Sequence, residues 1–477
     1  MKESDNIAKG VLSYAVAPAV TGLITILVVP VVSYSFPSDE YGKINMFYTL
    51  GSLFSSIFLL GFDHAAIRYY FEPPKRITKQ TIFTVSLVVG VVIDLVVVVL
   101  VLLSAGNIIS FLFFGENNLC TLIFLGLYIA GLILFRLVNI SARMQGFVWQ
   151  YNIQLILQNI ISRLSFVIVL AWTTSYFDAI VVMSLGMFVL GVVLASARRK
   201  AFSFFDGGFS FSTIKVLFCF GFPCMLNSVV TLLDTAIGRV VLGNFGQFGE
   251  IGVLAIATTL ASAFSLLPSA FNTFWSPYMY KNYKSRVQEI RDIHDYVMLF
   301  ALLLTMLIMI FQDILYWLVG GEYRSSQVFF MLLMLSPIKS FICETTGYGV
   351  MLKNKPFYAT VITVIGVAVN CLLVYLFAPK IGACAAGIGV ACSSVFVGMV
   401  RSLIGCRLYK SVNSYKRSLI GACLIIILCI GNTFIYQEIV MRVLFCALAG
   451  IVAIALYRVQ IRQMVDKINN LVVRTKC

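Results

Sequence analysis

Four ionisable side chains stand inside stretches that are otherwise almost wholly apolar. Arg163 lies in YNIQLILQNIISRLSFVIVL, Lys339 and Glu344 in MLLMLSPIKSFICETTGYG, and Asp94 in a valine-rich run. A formal charge held in hydrocarbon costs about 3 kcal/mol unless it is paired or wet, so each of these marks either a structural ion pair or a place where something polar binds. Asn152, Asn159 and Arg163 share one helical face, with Gln158, Ser162 and Ser165 beside it. That face is too polar for lipid, and Arg163 is the leading anion-binding candidate. Lys339 and Glu344 stand next to Pro337, a residue that can interrupt a helix and free a backbone carbonyl. Asp94 shares its face with Ser86 and Gly90. The competing reading of these charges is a buried pair such as Asp94 with Arg163.

The elements that carry these residues follow from composition. The 477 residues are 60% hydrophobic and only 12% charged, with a mean hydropathy of +0.96. That is an integral membrane protein. Apolar runs long enough to cross a bilayer lie near 10–32, 44–62, 81–104, 119–137, 151–172, 177–196, 214–233, 249–272, 295–312, 327–349, 357–377, 382–402, 417–436 and 440–458. These runs are apolar all round rather than alternating, which excludes a β-barrel and leaves helices. The fold class is therefore all-α, with about 14 transmembrane helices.

The net charge of +15 and pI near 9.3 invite a nucleic-acid reading, which the positions of the cations exclude. Of 35 Lys and Arg residues, 28 fall in alternate segments between spans, five in the opposite segments, and two, Arg163 and Lys339, within spans. Such an asymmetry is what the positive-inside rule predicts. It places both termini in the cytoplasm and turns the basic clusters towards anionic membrane lipids. AVAP at 15–18 mimics a cleavage site, but the first span is expected to stay because the later topology needs it. The twelve cysteines lie mostly within spans, without CxxC spacing, and read as packing residues. Only two histidines occur, so no metal site, cofactor or catalytic residue is expected. GxxxxGK[ST], HExxH and GxGxxG are missing, and the two SxxK matches, ending at Lys215 and Lys339, lack partner motifs.

An internal repeat organises the chain. GKINMFYTLGSLFSSI, starting at Gly42, matches GVLAIATTLASAFSLL, starting at Gly252, at Gly, Thr, Leu, Ser, Phe and Ser. VLSYAVAP and VLFCFGFP, ending at Pro18 and Pro223, share Val, Leu and Pro. Six spans per unit leave both units in the same orientation, related by a pseudo-two-fold axis along the membrane normal. Residues 1–196 form one six-helix lobe, 197–213 a cytoplasmic linker, 214–402 the second lobe, and 403–477 two additional helices with a cytoplasmic tail. Polar stripes run along repeat-related spans: Asn45, Thr49, Ser52 and Ser56 on the second, and Thr258, Ser262, Ser265, Ser269 and Asn272 on the eighth, as one continuous row. The seventh adds Asn227, Thr231 and Asp234.

Three stretches carry a resemblance. LGFDHAAIRYYFE at 60–72, the VLGNFGQFGEIGVLAIA region between Asp234 and Ala257, and AFNTFWSPYMYKNY at 270–283 are similar to the polysaccharide biosynthesis proteins of the MOP superfamily, the Wzx-type O-antigen and capsule flippases. The resemblance implies two six-helix lobes around a cationic cavity. It further implies alternating-access transport of a polyprenyl-diphosphate-linked oligosaccharide from the inner to the outer leaflet of the bacterial inner membrane. On that expectation Arg163, Lys339, Arg68 and Arg239 meet the diphosphate, Asn159, Asn227 and Asn272 with the hydroxyl stripes meet the sugars, and Asp94, Glu344 and Asp234 serve ion coupling. The expected partners are the lipid-linked oligosaccharide, anionic lipids, and the polymerase and glycosyltransferases of the same pathway. The rival readings are a MATE-like cation-coupled drug exporter and a membrane glycan polymerase or glycosyltransferase.

Overall fold

Buried in lipid, a backbone must satisfy its own hydrogen bonds, and every regular element among the described residues is helical. The computed structural model describes residues 20–70, 73, 77–199, 202, 211–353 and 356–475. The AVAP stretch, the start of the first expected span, most of the 197–213 linker, and Lys2, Lys9, Lys75, Arg76, Lys200, Lys355 and Lys476 lie outside them. The helices are α1 (Val20–Ser35), α2 (Ser38–Phe58), α3 (Phe62–Tyr69), α4 (Lys79–Ser104), α5 (Gly106–Phe114) and α6 (Leu119–Met144). There follow α7 (Val148–Val169), α8 (Tyr176–Ala197), α9 (Phe211–Asn244), α10 (Phe248–Ala263), α11 (Leu266–Asn282) and α12 (Val287–Trp317). The last six are α13 (Gln327–Thr346), α14 (Tyr348–Leu352), α15 (Pro356–Ile381), α16 (Ala383–Leu408), α17 (Tyr415–Ile435) and α18 (Ile439–Thr475). Side-chain caps start several of them: Thr78 accepts from the Thr81 amide at 3.1 Å, Asn118 from Cys120 at 3.0 Å and Ser175 from Phe177 at 3.2 Å, each filling a donor that the first turn leaves open.

Among the described residues, eleven helices are long and apolar enough to cross a membrane, and twelve if the bent pair α2 and α3 is one span. The other two expected spans correspond to α1, which covers the described part of the first, and to α7, which covers most of the fifth. The structure decides one local question and corrects one expectation. α13 runs unbroken through Pro337. The polar row of the eighth span is interrupted, because α10 ends at Ala263 and α11 begins at Leu266; Pro268, in the first turn of α11, has no amide hydrogen to carry a helix across the gap.

Contacts divide the chain into two compact units. The first runs through Thr259 and takes in Gly320–Tyr323 and Val374–Ala383; the second is Leu260–Val319, Arg324–Leu373 and Cys384–Cys477.

Within the first unit, α2 crosses α10 at the two glycines that open the repeat-related segments. A Cβ on Gly42 would sit 1.8 Å from the Phe248 carbonyl oxygen, and one on Gly252 would sit 2.1 Å from that of Ser38. The backbones meet there, and only glycine fits. A chain of rings, Tyr128, Phe47, Phe114 and Tyr176, packs beside this crossing with centroid separations of 5.5, 6.3 and 6.5 Å. At the α2 start, buried Lys43 gathers Glu116 at 2.7 Å, Asp39 at 3.4 Å and Glu40 at 3.7 Å. The Tyr176 hydroxyl donates to Glu116 at 2.9 Å. Lys43, which charge alone assigns to an outside loop, is thus part of a buried polar knot. At the other end of α2 the chain breaks at Leu60 (φ 49°) and Gly61 (φ 73°) and turns by 54° into α3.

In the second unit α12 is the post to which α17 and α18 are fastened. His294 bonds Thr345 and Ser418, both at 2.8 Å. Asp295 receives Arg417 at 3.1 Å, Asn413 at 3.0 Å and Gln460 at 2.9 Å. Towards the other end, fully buried Arg442 donates to the Met309 carbonyl at 2.9 Å and to Asp313. At that same end, Gln312 and Asn432 exchange amide hydrogen bonds of 2.9 and 3.3 Å. Replacing either amide alone by Leu strands the other in the core. The expected loss is about 1–3 kcal/mol, whereas the double Leu variant is expected to be near neutral; thermal unfolding of the four forms in detergent checks this cycle.

Candidate functional site

In the first unit, Arg163 and Arg239 stand among polar side chains of α2, α7 and α10. Arg239 of α9 reaches between two helices, its Nη1 donating to Thr49 Oγ1 at 3.1 Å and its Nη2 to Thr258 Oγ1 at 3.0 Å. Both threonines belong to the polar stripes expected from sequence. Each hydroxyl in turn donates to its own helix, Thr49 to Asn45 O at 2.7 Å and Thr258 to Ala255 O at 3.0 Å, so both present lone pairs to the guanidinium. Buried Nε of Arg239 has no partner among the described residues. Arg163 of α7 lies over the Tyr48 ring at 5.4 Å, a cation–π contact. Beside it the Tyr128 hydroxyl donates to Ser162 at 3.2 Å. Arg163 and Arg239 thus contact successive residues of α2, Tyr48 and Thr49. No ion pair joins Asp94 to Arg163 among the described residues, and Asp94 is buried on α4 with Oδ1 unpartnered.

Asn159 is half-buried on α7 and bonds back to Leu155 O at 3.4 Å. On α9, Asn227 is exposed and Asp234 half-buried. Arg68 is exposed near the end of α3. Its neighbours are tied down: Arg136 meets Asp63 at 2.6 Å, and His64 meets Ser228 on α9 at 3.1 Å. The Asp63 and His64 that the sequence places at a span end are therefore anchors of the broken helix.

In the second unit, Asn272 donates to Glu344 and, at 3.3 Å, to the Tyr348 hydroxyl. Lys339 is half-buried and lines a separate cavity of about 240 Å³ with His294, Thr346, Ser394, Ser402 and Ser418 among otherwise apolar side chains. Its stem packs on Gly398, where a Cβ would come within 2.9 Å. Sequence reasoning missed Tyr48 and Tyr128. Tyr48 adjoins the polar stripe of Asn45, Thr49 and Ser52 on α2, which was the available signal; Tyr128, on α6, belongs to none of the polar stripes and meets the site through Ser162.

A family model described as "Polysaccharide biosynthesis protein" matches residues 7–283. The chain belongs to that family. Among solved structures, "Lipid II flippase MurJ, inward closed conformation" has a TM-score of 0.71 at 14% identity, covering 94% of this chain and 99% of that one. "Inward-facing conformation of a multidrug resistance MATE family transporter of the MOP superfamily" has a TM-score of 0.52 at 14% identity, over 83% of this chain and 94% of the other. A curated relative, Lsg locus putative protein 1 of Haemophilus influenzae, is 22% identical over 129 residues, or 26% of this chain and 32% of its own length. The match thus spans about a third of that protein. At these identities the solved structures fix the fold, and this family member is a multi-pass membrane protein with the fold of MOP-superfamily transporters.

Proposed function

We propose that the protein is a flippase that carries a polyprenyl-diphosphate-linked oligosaccharide across the plasma membrane by alternating access, without covalent chemistry. The observation that supports this most is the Arg163 and Arg239 pair, held among hydroxyls inside a member of the polysaccharide biosynthesis family. Two guanidiniums with few carboxylates near them suit a diphosphate, which accepts forked hydrogen bonds. The threonine and tyrosine hydroxyls around them suit sugars, whose own hydroxyls cannot enter hydrocarbon unpaired. The polyprenyl tail has no such cost and stays in lipid.

Lys339 and Arg68 are assigned to the diphosphate in the same reading, and Asn159, Asn227 and Asn272 to the sugars. Asp94, Asp234 and Glu344 are assigned to coupling with protons or sodium, with both termini in the cytoplasm. Polymerase and glycosyltransferases are its expected partners in the pathway. Glu344→Gln keeps the bond geometry of Asn272 but removes the charge; transport by this variant is expected to lose its response to an imposed ion gradient. Cells lacking the protein are expected to accumulate lipid-linked oligosaccharide facing the cytoplasm and to lose surface glycan. Unchanged surface glycan combined with lost efflux of small cations would favour the drug-exporter reading.

A further inference from the structure

A cleft of about 700 Å³ opens in the first unit between the start of α7 and the end of α8. One wall is a single helical face of α7, Gln150, Ile153, Gln154 and Leu157, at steps of three, one and three; the facing wall is Leu194, Ala197 and Arg198. Arg199 and Gln145 stand at the rim.

Arg198 is built in rather than loose. Its Nη1 donates to Gln145 Oε1 at 3.3 Å, its Nη2 donates to Gln150 Oε1, and its guanidinium lies over the Phe147 ring at 4.8 Å. Gln145 is itself oriented, its amide nitrogen donating to Ser141 Oγ at 3.2 Å. A guanidinium has five N–H donors in a planar fork, and these contacts leave three. No carboxylate pairs with Arg198 or Arg199 among the described residues. Burial lowers the Arg198 pKa from its ordinary value, the direction expected of a cation that lacks an anionic partner.

The cleft changes character along its length. From the arginines it runs onto Ile153, Leu157 and Leu194, while Trp149 and Phe147 beside it are 72% and 47% exposed. Exposed aromatics at a helix start mark the membrane–water boundary. An occupant must therefore have an anionic head at the boundary and an apolar chain below it, a combination that a free anion lacks.

We infer that this cleft is a binding site for an anionic phospholipid, its phosphodiester held by Arg198 and Arg199 and its first acyl segment lying along Ile153, Leu157 and Leu194. The site stands apart from Arg163 and Arg239 and does not depend on what the transporter carries.

The test uses the full-length protein in phosphatidylcholine nanodiscs doped with phosphatidylglycerol, followed by native mass spectrometry of the lipids retained after transfer to detergent. The protein is expected to retain phosphatidylglycerol in preference to phosphatidylcholine. Arg198→Gln with Arg199→Gln is expected to lower that retention about tenfold, the scale of one or two charge-assisted hydrogen bonds. Leu157→Trp, which keeps both arginines but fills the apolar wall, is expected to lower it as well. Lys215→Gln, at an exposed cation outside the cleft, is expected to leave it unchanged. Retention unaffected by the double Gln variant overturns the assignment, as does an equal loss in Lys215→Gln. Displacement of the lipid by inorganic phosphate would assign the arginines to a soluble anion and overturn it too.

Discussion

Replacing Arg163 and Arg239 together by Ala is expected to abolish surface glycan while leaving the amount of protein in the membrane unchanged. Arg239 is held by two threonine hydroxyls at 3.1 and 3.0 Å, with buried Nε unpartnered. Arg163 is held mainly by the face of Tyr48 at 5.4 Å. Neither guanidinium is neutralised by an ion pair among the described residues, although both are held against α2. A diphosphate relieves both deficits at once, so the binding energy lost with the pair exceeds what two neutral hydrogen bonds supply. Each single Ala variant is expected to reduce transport about tenfold, the equivalent of 1.4 kcal/mol. Lys in place of Arg239 keeps the charge but cannot span Thr49 and Thr258 with one fork, so its activity is expected to fall between wild type and Ala. Normal surface glycan in the double Ala variant removes these residues from the site.

Gly42→Leu is expected to give the largest loss of stability of any single substitution proposed here, about 3 kcal/mol, the upper end of the usual overpacking cost. The atom that a Cβ would strike, at 1.8 Å, is a backbone carbonyl oxygen rather than the tip of a flexible side chain. The α2 and α10 backbones must move apart to make room, which disturbs Thr49 and Thr258 on those same helices and, through them, Arg239. Gly42→Leu is therefore expected to lower both the unfolding temperature in detergent and transport. Gly252→Leu is expected to do the same, since its Cβ meets the Ser38 carbonyl oxygen at 2.1 Å. A Gly42→Leu protein with unchanged melting and activity would mean that the helices do not cross there.

The sequence made the helical class, the broad placement of the spans and the matched glycines legible, because each rests on a local or periodic property: hydropathy over some twenty residues, or a repeated motif. Gly42 and Gly252 matched as letters, and they meet as backbones for the reason the letters match. What stayed illegible depends on contact between distant segments. Nothing local distinguishes Arg239, which is pinned by Thr49 and Thr258, from an ordinary loop cation. Lys43 reads as a loop cation yet is buried with Glu116, 73 residues away. The competing pairing of Asp94 with Arg163 does not form among the described residues, because opposite charges in two spans say nothing about which faces meet. The unbroken α13 shows the same limit: Pro337 removes one donor, and helical packing around it can hold the rest of the ladder.

The most direct test places purified protein in sealed vesicles with a fluorescent polyprenyl-diphosphate-linked oligosaccharide in one leaflet and follows its accessibility to a glycan-cleaving enzyme outside. Wild-type protein is expected to make the lipid cross at a rate that the Arg163→Ala, Arg239→Ala protein does not match. Equal rates in vesicles with wild-type, double-variant and no protein would contradict a flippase built on that cationic pair.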